Sequence, residues 1–257
     1  MTLLSMMECK VPKNDLEKAA KLGQRVVELT EAGDSEAVVV LCDKMVAKFG
    51  TSHSKVKMRR QIARALAYKA LSLAKLGRLN EAIAASDELV AIFGGDRDDL
   101  IRVFTGNIAL LTVSQAKERQ DNHLALQLCE RYIAVLVSGS ESPLTPDVVH
   151  LVGLRAGLLI ELNRYAEARI AIDQFVSLAD ANPTPAVDEL LEDARHLRDS
   201  LAEADEFLSV VDAPHGVDES VAKAALLDTL ESWLVAPEGA GPVDAEIAFM
   251  RSCAALY

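Results

Sequence analysis

A motif of roughly 43 residues recurs four times in this chain, and it constrains the fold more than any other feature. An acidic residue marks the same place in each copy, at Asp43, Asp87, Glu130 and Asp173, with spacings of 44, 43 and 43 residues. A regular period of this length is typical of helical-repeat proteins, in which each copy packs against its neighbours. The period therefore predicts a solenoid, a stack of similar helical units.

Apolar residues within the copies recur at three- and four-residue intervals, as at Leu22, Val26, Val27 and Leu29. This spacing predicts amphipathic helices. A glycine or polar break separates two helices in each copy, and Gly77 suits the left-handed residue that ends a helix. No stretch alternates in the manner of a β-strand. The sequence predicts an all-α fold built from four helical pairs.

Three segments follow from this pattern. Residues 1–14 form an N-terminal segment, residues 15–180 hold the four helical pairs, and residues 181–257 hold capping and accessory helices. The helix predicted over about 187–208 is polar enough to close the exposed apolar end of a repeat array. A final helix over about 243–256 is more apolar. We expect it to dock onto the chain's own body, and docking onto a partner is the alternative.

The segment from Lys69 to Ile83 reads KALSLAKLGRLNEAI, and the segment from Leu159 to Ala171 follows the same pattern with Asn163 at the turn. Both segments resemble the tetratricopeptide repeat, a helix–turn–helix unit with small residues at its packing positions. The resemblance implies a right-handed superhelix closed by the C-terminal capping helices. The period of this chain exceeds the family's usual length of about 34 residues. We attribute the excess to longer loops and a longer first helix.

The resemblance also implies which side chains meet a ligand, because the first helices of successive repeats line a concave groove. The floor of that groove is then apolar with a few polar groups, which suits a peptide segment or a partner helix. The implied lining residues are Gln24, Arg64, Tyr68, Leu71, Lys75, Asn107, Leu111, Ser114, His150 and Leu154.

A run of basic residues stands out in a chain whose formal net charge is −12. Lys55, Lys57, Arg59, Arg60 and Arg64 follow one another with no acidic residue between them. Arginine pairs with carboxylates through two parallel hydrogen bonds, so the run predicts attraction of an acidic peptide. The alternative is an ordinary solvated helix start. The family's carboxylate-clamp pattern needs further Lys and Asn residues at set places, so we do not expect recognition of a chaperone C-terminus.

The acidic balance, with an isoelectric point near 4.9, argues against a general nucleic-acid binder, which is normally basic. No window approaches the apolar stretch of about 18 residues that a membrane-spanning helix needs. The first residues lack the basic region and apolar stretch of a secretory signal. We therefore expect a cytoplasmic protein with no nucleic-acid and no membrane partner.

The repeat register explains two of the four cysteines. Cys42 and Cys129 occupy one place in the first and third copies, where the second and fourth copies have Ser86 and Ile172. A position that accepts these three residue types is a packing site. We therefore expect both thiols to be buried and unreactive.

Motifs of catalysis are missing from the sequence: it contains no phosphate-binding loop, no dinucleotide fingerprint and no nucleophile elbow. Two small polar clusters are better explained as a solvated helix face and a polar turn. We expect no enzymatic activity, no metal and no cofactor. The two clusters are Glu189, Glu192 and His196, and Asp212, His215 and Asp218.

These observations favour a non-catalytic protein–protein interaction module or adaptor. It would bind a peptide or partner helix, with an acidic segment, in the concave groove. The alternative is a structural scaffold that forms a homo-oligomer through its C-terminal helices.

Overall fold

The computed structural model describes residues 13–50, 55–137 and 145–181, together with scattered positions between 183 and 199. Within this part of the chain every regular element is an α-helix, so the predicted all-α class is confirmed. The predicted segment 1–14 and the helices predicted over 181–257 lie almost wholly outside the described residues. The helices are α1 (Lys13–Glu31), α2 (Ser35–Phe49), α3 (Val56–Lys75), α4 (Leu79–Phe93), α5 (Asp99–Glu118), α6 (Asn122–Leu136), α7 (Pro146–Glu161) and α8 (Tyr165–Ala181).

Consecutive helices pack together within two compact units, which divide the chain between Thr112 and Val113. In the first unit α3 packs against α1, α2 and α4, and its buried side chains extend from Met58 to Leu73. In the second unit α7 packs against both α6 and α8 and is buried along most of its length. A helix that is covered on most sides lies among its neighbours rather than at the surface. Thus α3 and α7 are the central helices of their units.

The two helices of each pair are joined by the same tight turn. One residue in each turn has a positive φ, which is 75° at Gly33, 74° at Gly77, 61° at Gln120 and 60° at Asn163. These positions are 44, 43 and 43 residues apart, the same period as the acidic residues. In each turn, the residue after the one with positive φ donates its backbone amide to the carbonyl five residues before it, at 2.8–3.1 Å. This hydrogen bond is typical of the Schellman ending of a helix. The left-handed conformation predicted for Gly77 is confirmed, and all four turns share it.

The second helix of each pair begins in one of two ways. Asp34 and Asp121 accept a hydrogen bond from the amide three residues later, at 3.1 and 3.0 Å, and so cap α2 and α6. Arg78 and Arg164 occupy the same place before α4 and α8. The Nε of each donates to a glutamate carboxylate three residues later, at 2.7 Å. The second helix therefore begins with an aspartate cap in the first and third pairs, and with an Arg–Glu side-chain pair in the second and fourth.

The recurring acidic residue has a structural role in both units. In the first unit Asp43 on α2 lies 2.6 Å from the Nζ of Lys69 on α3. In the second unit Glu130 on α6 lies 3.7 Å from the Nε of Arg155 on α7. Each pair joins a second helix to the first helix of the following copy. Since ion pairs near the surface contribute only about 0–1 kcal/mol, these contacts help to align the helices more than they stabilise the fold.

The two cysteines of the repeat register are fully buried, as predicted, and both are free thiols. Burial, with a smaller effect from the neighbouring Asp43 carboxylate, raises the pKa of the Cys42 thiol to about 12. Burial also raises the pKa of Cys129, whose Sγ donates to the carbonyl of Leu151 at 3.1 Å. Because the thiolate is the reactive form, burial and the raised pKa disfavour nucleophilic reaction of both thiols in the folded protein.

Candidate functional site

The side chains that the sequence assigns to a concave groove differ widely in exposure. In the first unit Tyr68 and Leu71 are each 1% exposed, and Asn107 and Leu111 are also buried. In the second unit Leu154 is buried in the same way. These side chains pack inside their units, so a partner would have little access to them in this conformation. Contact with a partner remains a prediction for the accessible members, which are Arg64, Ser114 and His150, half-buried, and Gln24 and Lys75, exposed.

A pocket of about 280 Å³ opens on the first unit between α1, α3 and α5. Its apolar lining is formed by Leu16, Ala20, Leu100 and Phe104. The polar and charged groups of its lining are Glu17, Lys57, Arg60, Gln61 and Arg64.

This pocket shares only Arg64 with the residues predicted from the sequence. On each helix its lining lies one or two turns nearer the N-terminus than the predicted positions. The same register, continued toward the helix starts, would have found these residues. No sequence signal shows how far along the first helices the surface remains open.

Arg64 is one of the charged groups that line this pocket. Its side chain is half-buried, and its Nη2 donates a hydrogen bond to the Oε1 of Gln61 at 2.7 Å. Burial lowers the pKa of the guanidinium, although arginine keeps its proton in proteins. No carboxylate among the described residues forms an ion pair with Arg64. The group is therefore a partly desolvated cation whose counter-ion is not supplied by that part of the chain.

Arg64 also lies directly against α1. A β-carbon placed on Gly23 would lie 2.0 Å from the Nη2 of Arg64 and 2.5 Å from the Oε1 of Gln61. Such distances are far inside van der Waals contact, so the guanidinium occupies the space that a side chain at position 23 would fill. The missing side chain of Gly23 thus determines where the charge of Arg64 lies.

Two other members of the basic run are neutralised within the chain. The Nε of Arg59 donates to Asp96 at 2.8 Å, and the guanidinium of Arg60 forms two bonds of 2.9 Å with Asp98. The two aspartates come from the segment between α4 and α5. The interpretation of the whole run as a patch open to an acidic partner is therefore too broad, because these arginines already have carboxylate partners.

Asp98 also supports the start of α5, since its Oδ1 accepts from the amide of Ile101 at 3.3 Å. Burial favours a raised pKa for this carboxyl. The hydrogen bonds from Arg60 and Ile101, with the charges of Arg60 and Arg59, outweigh burial and lower the pKa below its usual value. Asp98 is thus ionised at neutral pH and is a firm partner for Arg60.

The part of the chain that the structure describes contains neither a membrane span nor a metal cluster. None of its helices is long and apolar enough to cross a membrane. No group of three or more His, Cys, Asp and Glu side chains lies close enough together there to hold a metal ion. Apart from Glu192, the two polar clusters noted in the sequence, at 189–196 and 212–218, lie outside the described residues.

Comparison with known proteins yields no assignment: no protein-family model matches the chain, and no curated protein matches it significantly. The resemblance to tetratricopeptide repeats is carried by the quoted segments around Gly77 and Asn163. The candidate site is therefore a pocket with a mixed lining beside Arg64, which has no carboxylate partner among the described residues.

Proposed function

We propose that this protein is a non-catalytic interaction module that binds a peptide segment or a helix of a partner on the first helices of its repeats. One observation carries the proposal. Arg64 is a half-buried cation without a carboxylate partner among the described residues, and it lines a pocket whose lining is partly apolar. Charged side chains are seldom buried without a partner, because desolvation is costly. A carboxylate from a bound segment would compensate for that cost.

The pocket is small and lies near the lower end of the size range for small-molecule pockets. Its volume is about 280 Å³, whereas pockets for drug-sized ligands usually span about 300–1,000 Å³. The pocket can accept one or two side chains of a longer ligand. The rest of that ligand would lie along the neighbouring helix surfaces.

The architecture that we propose for this function is a tetratricopeptide-like, right-handed superhelix with C-terminal caps. Support comes from the four turns, which share one backbone conformation at a period of 44, 43 and 43 residues. In repeat proteins of this kind, successive first helices form a continuous surface suited to extended ligands.

Selection from a phage-displayed library of random 16-residue peptides, with the full chain as bait, tests the proposed function. We expect selected peptides to bind at least tenfold more weakly to Arg64→Glu than to the unaltered protein. Lys44→Glu is the matched control, because it makes the same charge change at an exposed residue of α2. Peptides that bind both variants equally, or a failure to select any peptide, would contradict the proposal.

The alternative function is a scaffold that self-associates through its C-terminal helices. Those helices lie almost wholly outside the described residues, so this proposal rests on their sequence. Light scattering of the full chain across a range of concentrations tests it. A monomer at every concentration would remove this alternative.

A further inference from the structure

We infer that the pocket between α1, α3 and α5 binds an acidic amphipathic helix of a partner protein, and that Gly23 determines this specificity by positioning Arg64. The inference rests on the proposed function and names the chemistry of the partner. The charges at the pocket, its apolar lining residues and the contact between Arg64 and α1 support it.

The charges at the pocket favour an acidic partner. Its lining contains Lys57, Arg60 and Arg64 as cations and Glu17 as an anion. The charge of Arg60 is balanced by Asp98, with two hydrogen bonds of 2.9 Å. Lys57 and Arg64 then leave an excess of positive charge over Glu17, in a chain whose overall formal charge is −12. A carboxylate is the group that complements this local excess.

The apolar lining requires a second feature of the same ligand. Leu16 and Ala20 on α1 face the pocket together with Leu100 and Phe104 on α5. An aliphatic or methionine side chain would remove this surface from water. A helix places residues three or four positions apart on one face. One turn of a partner helix can therefore present the apolar side chain and the carboxylate together, as in other helix-in-groove complexes.

Substitution of Gly23 should alter the binding site without lowering the stability of the fold. Glycine within a helix is less stable than alanine, so α1 itself would favour Gly23→Ala. The atoms that a β-carbon would meet, Nη2 of Arg64 and Oε1 of Gln61, are the free ends of flexible side chains. Both ends can move without disturbing the backbone. Alanine at this position would therefore displace the guanidinium and leave the helices in place.

Three synthetic 16-residue helical peptides serve as probes for this site. The first carries one Leu and one Glu a helical turn apart, the second has Gln in place of Glu, and the third has Ala in place of Leu. Their affinities for the full chain are measured by fluorescence anisotropy. We expect the first peptide to bind at least tenfold more tightly than either of the others.

The same measurements on Arg64→Gln and Gly23→Ala test the assigned residues. We expect each variant to lose the preference for Glu over Gln, while thermal unfolding shows that Gly23→Ala is at least as stable as the unaltered chain. A preference for Glu that survives both substitutions would overturn the inference.

Two further outcomes separate this inference from the proposed function. Equal binding of all three probes, alongside peptides selected from the random library, would overturn the acidic-helix assignment and leave the proposed function standing. Failure of every probe and of the library would overturn both. A peptide of residues 243–257 is the fourth probe, and tighter binding of that peptide than of the first would overturn the assignment to an external partner.

Discussion

The turn residues between paired helices illustrate how single residues contribute to this repeat. Gly33 and Gly77 adopt a positive φ without steric cost, whereas Gln120 adopts φ 61° with a β-carbon that crowds the backbone. Asn163 is intermediate, since asparagine tolerates this conformation better than most residues. The turn after α5 is thus the one whose residue type agrees least with its conformation.

We expect Gln120→Gly to stabilise the protein by about 0.5–1 kcal/mol, because relief of the left-handed strain exceeds the entropy that glycine loses on folding. Chemical denaturation measures the change. Gly77→Ala is the reciprocal variant. Beyond the local backbone and the two neighbouring residues, no atom lies within 4 Å of its added β-carbon, so its expected loss of about 1 kcal/mol reports φ. A gain for Gly77→Ala would show that these turns are not strained in the way described.

Asp147 in the first turn of α7 makes stability depend on pH. Burial raises the pKa of its carboxyl from 3.8 to about 6, against a smaller opposing effect of its own backbone amide. A raised folded-state pKa means that the proton binds the folded state more tightly. At neutral pH the ionised group therefore lowers stability, and protonation as the pH falls through 6 toward 4 relieves that cost.

We expect Asp147→Asn to stabilise the protein by about 1 kcal/mol at pH 7, a value reduced for partial exposure and for the favourable charge at a helix start. The advantage should shrink to a small fraction at pH 4, where the folded-state carboxyl is almost fully protonated and the unfolded-state carboxyl is about half protonated. Denaturation curves of both proteins at pH 7 and pH 4 make the comparison. The same advantage at both values would show that the carboxyl does not titrate as described.

Among the helices, α3 is joined to the start of α5 by the ion pair between Arg60 and Asp98. Both helices are the first helix of their pair. The Arg60 and Asp98 side chains are 25% and 10% exposed, so their ion pair is partly shielded from water. Asp98 also accepts from the amide of Ile101. Removal of the Asp98 carboxylate would therefore weaken both the start of α5 and the contact between α3 and α5.

Asp98→Asn should cost about 1–3 kcal/mol at pH 7, because it weakens a charged bond to a partly buried arginine. Since the pKa of Asp98 is lowered in the folded state, its contribution is present above the unfolded-state pKa and is lost as the pH falls through the lower folded value. Asp99→Asn is the control, because the Asp99 side chain is 96% exposed. An equal loss for both variants would refute the special role of Asp98.

The four helical pairs and their spacing could be predicted from the sequence. The second helices begin at Ser35, Leu79, Asn122 and Tyr165, with the predicted spacing. Helical periodicity and turn residues are local properties, and local properties can be read from a sequence. The burial of Cys42 followed from the same register.

The site was harder to predict because it depends on contacts between distant residues. Arg59 and Asp96 are 37 positions apart, and nothing in either segment shows that they meet. The register placed Tyr68 and Leu71 on the groove, but their exposure depends on how closely neighbouring helices approach. Gly23 gave no signal either, because its importance comes from the position of Arg64 on another helix.

At the scale of the whole molecule, a net charge of −12 and an acidic partner repel each other at long range. The excess positive charge at the pocket acts at short range. The Debye length is about 10 Å at 0.1 M salt, so physiological salt screens the long-range repulsion more than a contact between Arg64 and a carboxylate. The local charge can therefore determine binding in an acidic protein.

The proposed binding site is the pocket beside Arg64, on the first helices of the first unit. Hydrogen–deuterium exchange of the full chain, with and without a saturating peptide from the library, tests this placement. We expect slower exchange in α1, in the N-terminal half of α3 and at the start of α5, and we expect Arg64→Glu to lose this protection. Protection confined to other helices, or unchanged by Arg64→Glu, would show that the partner does not bind at this pocket.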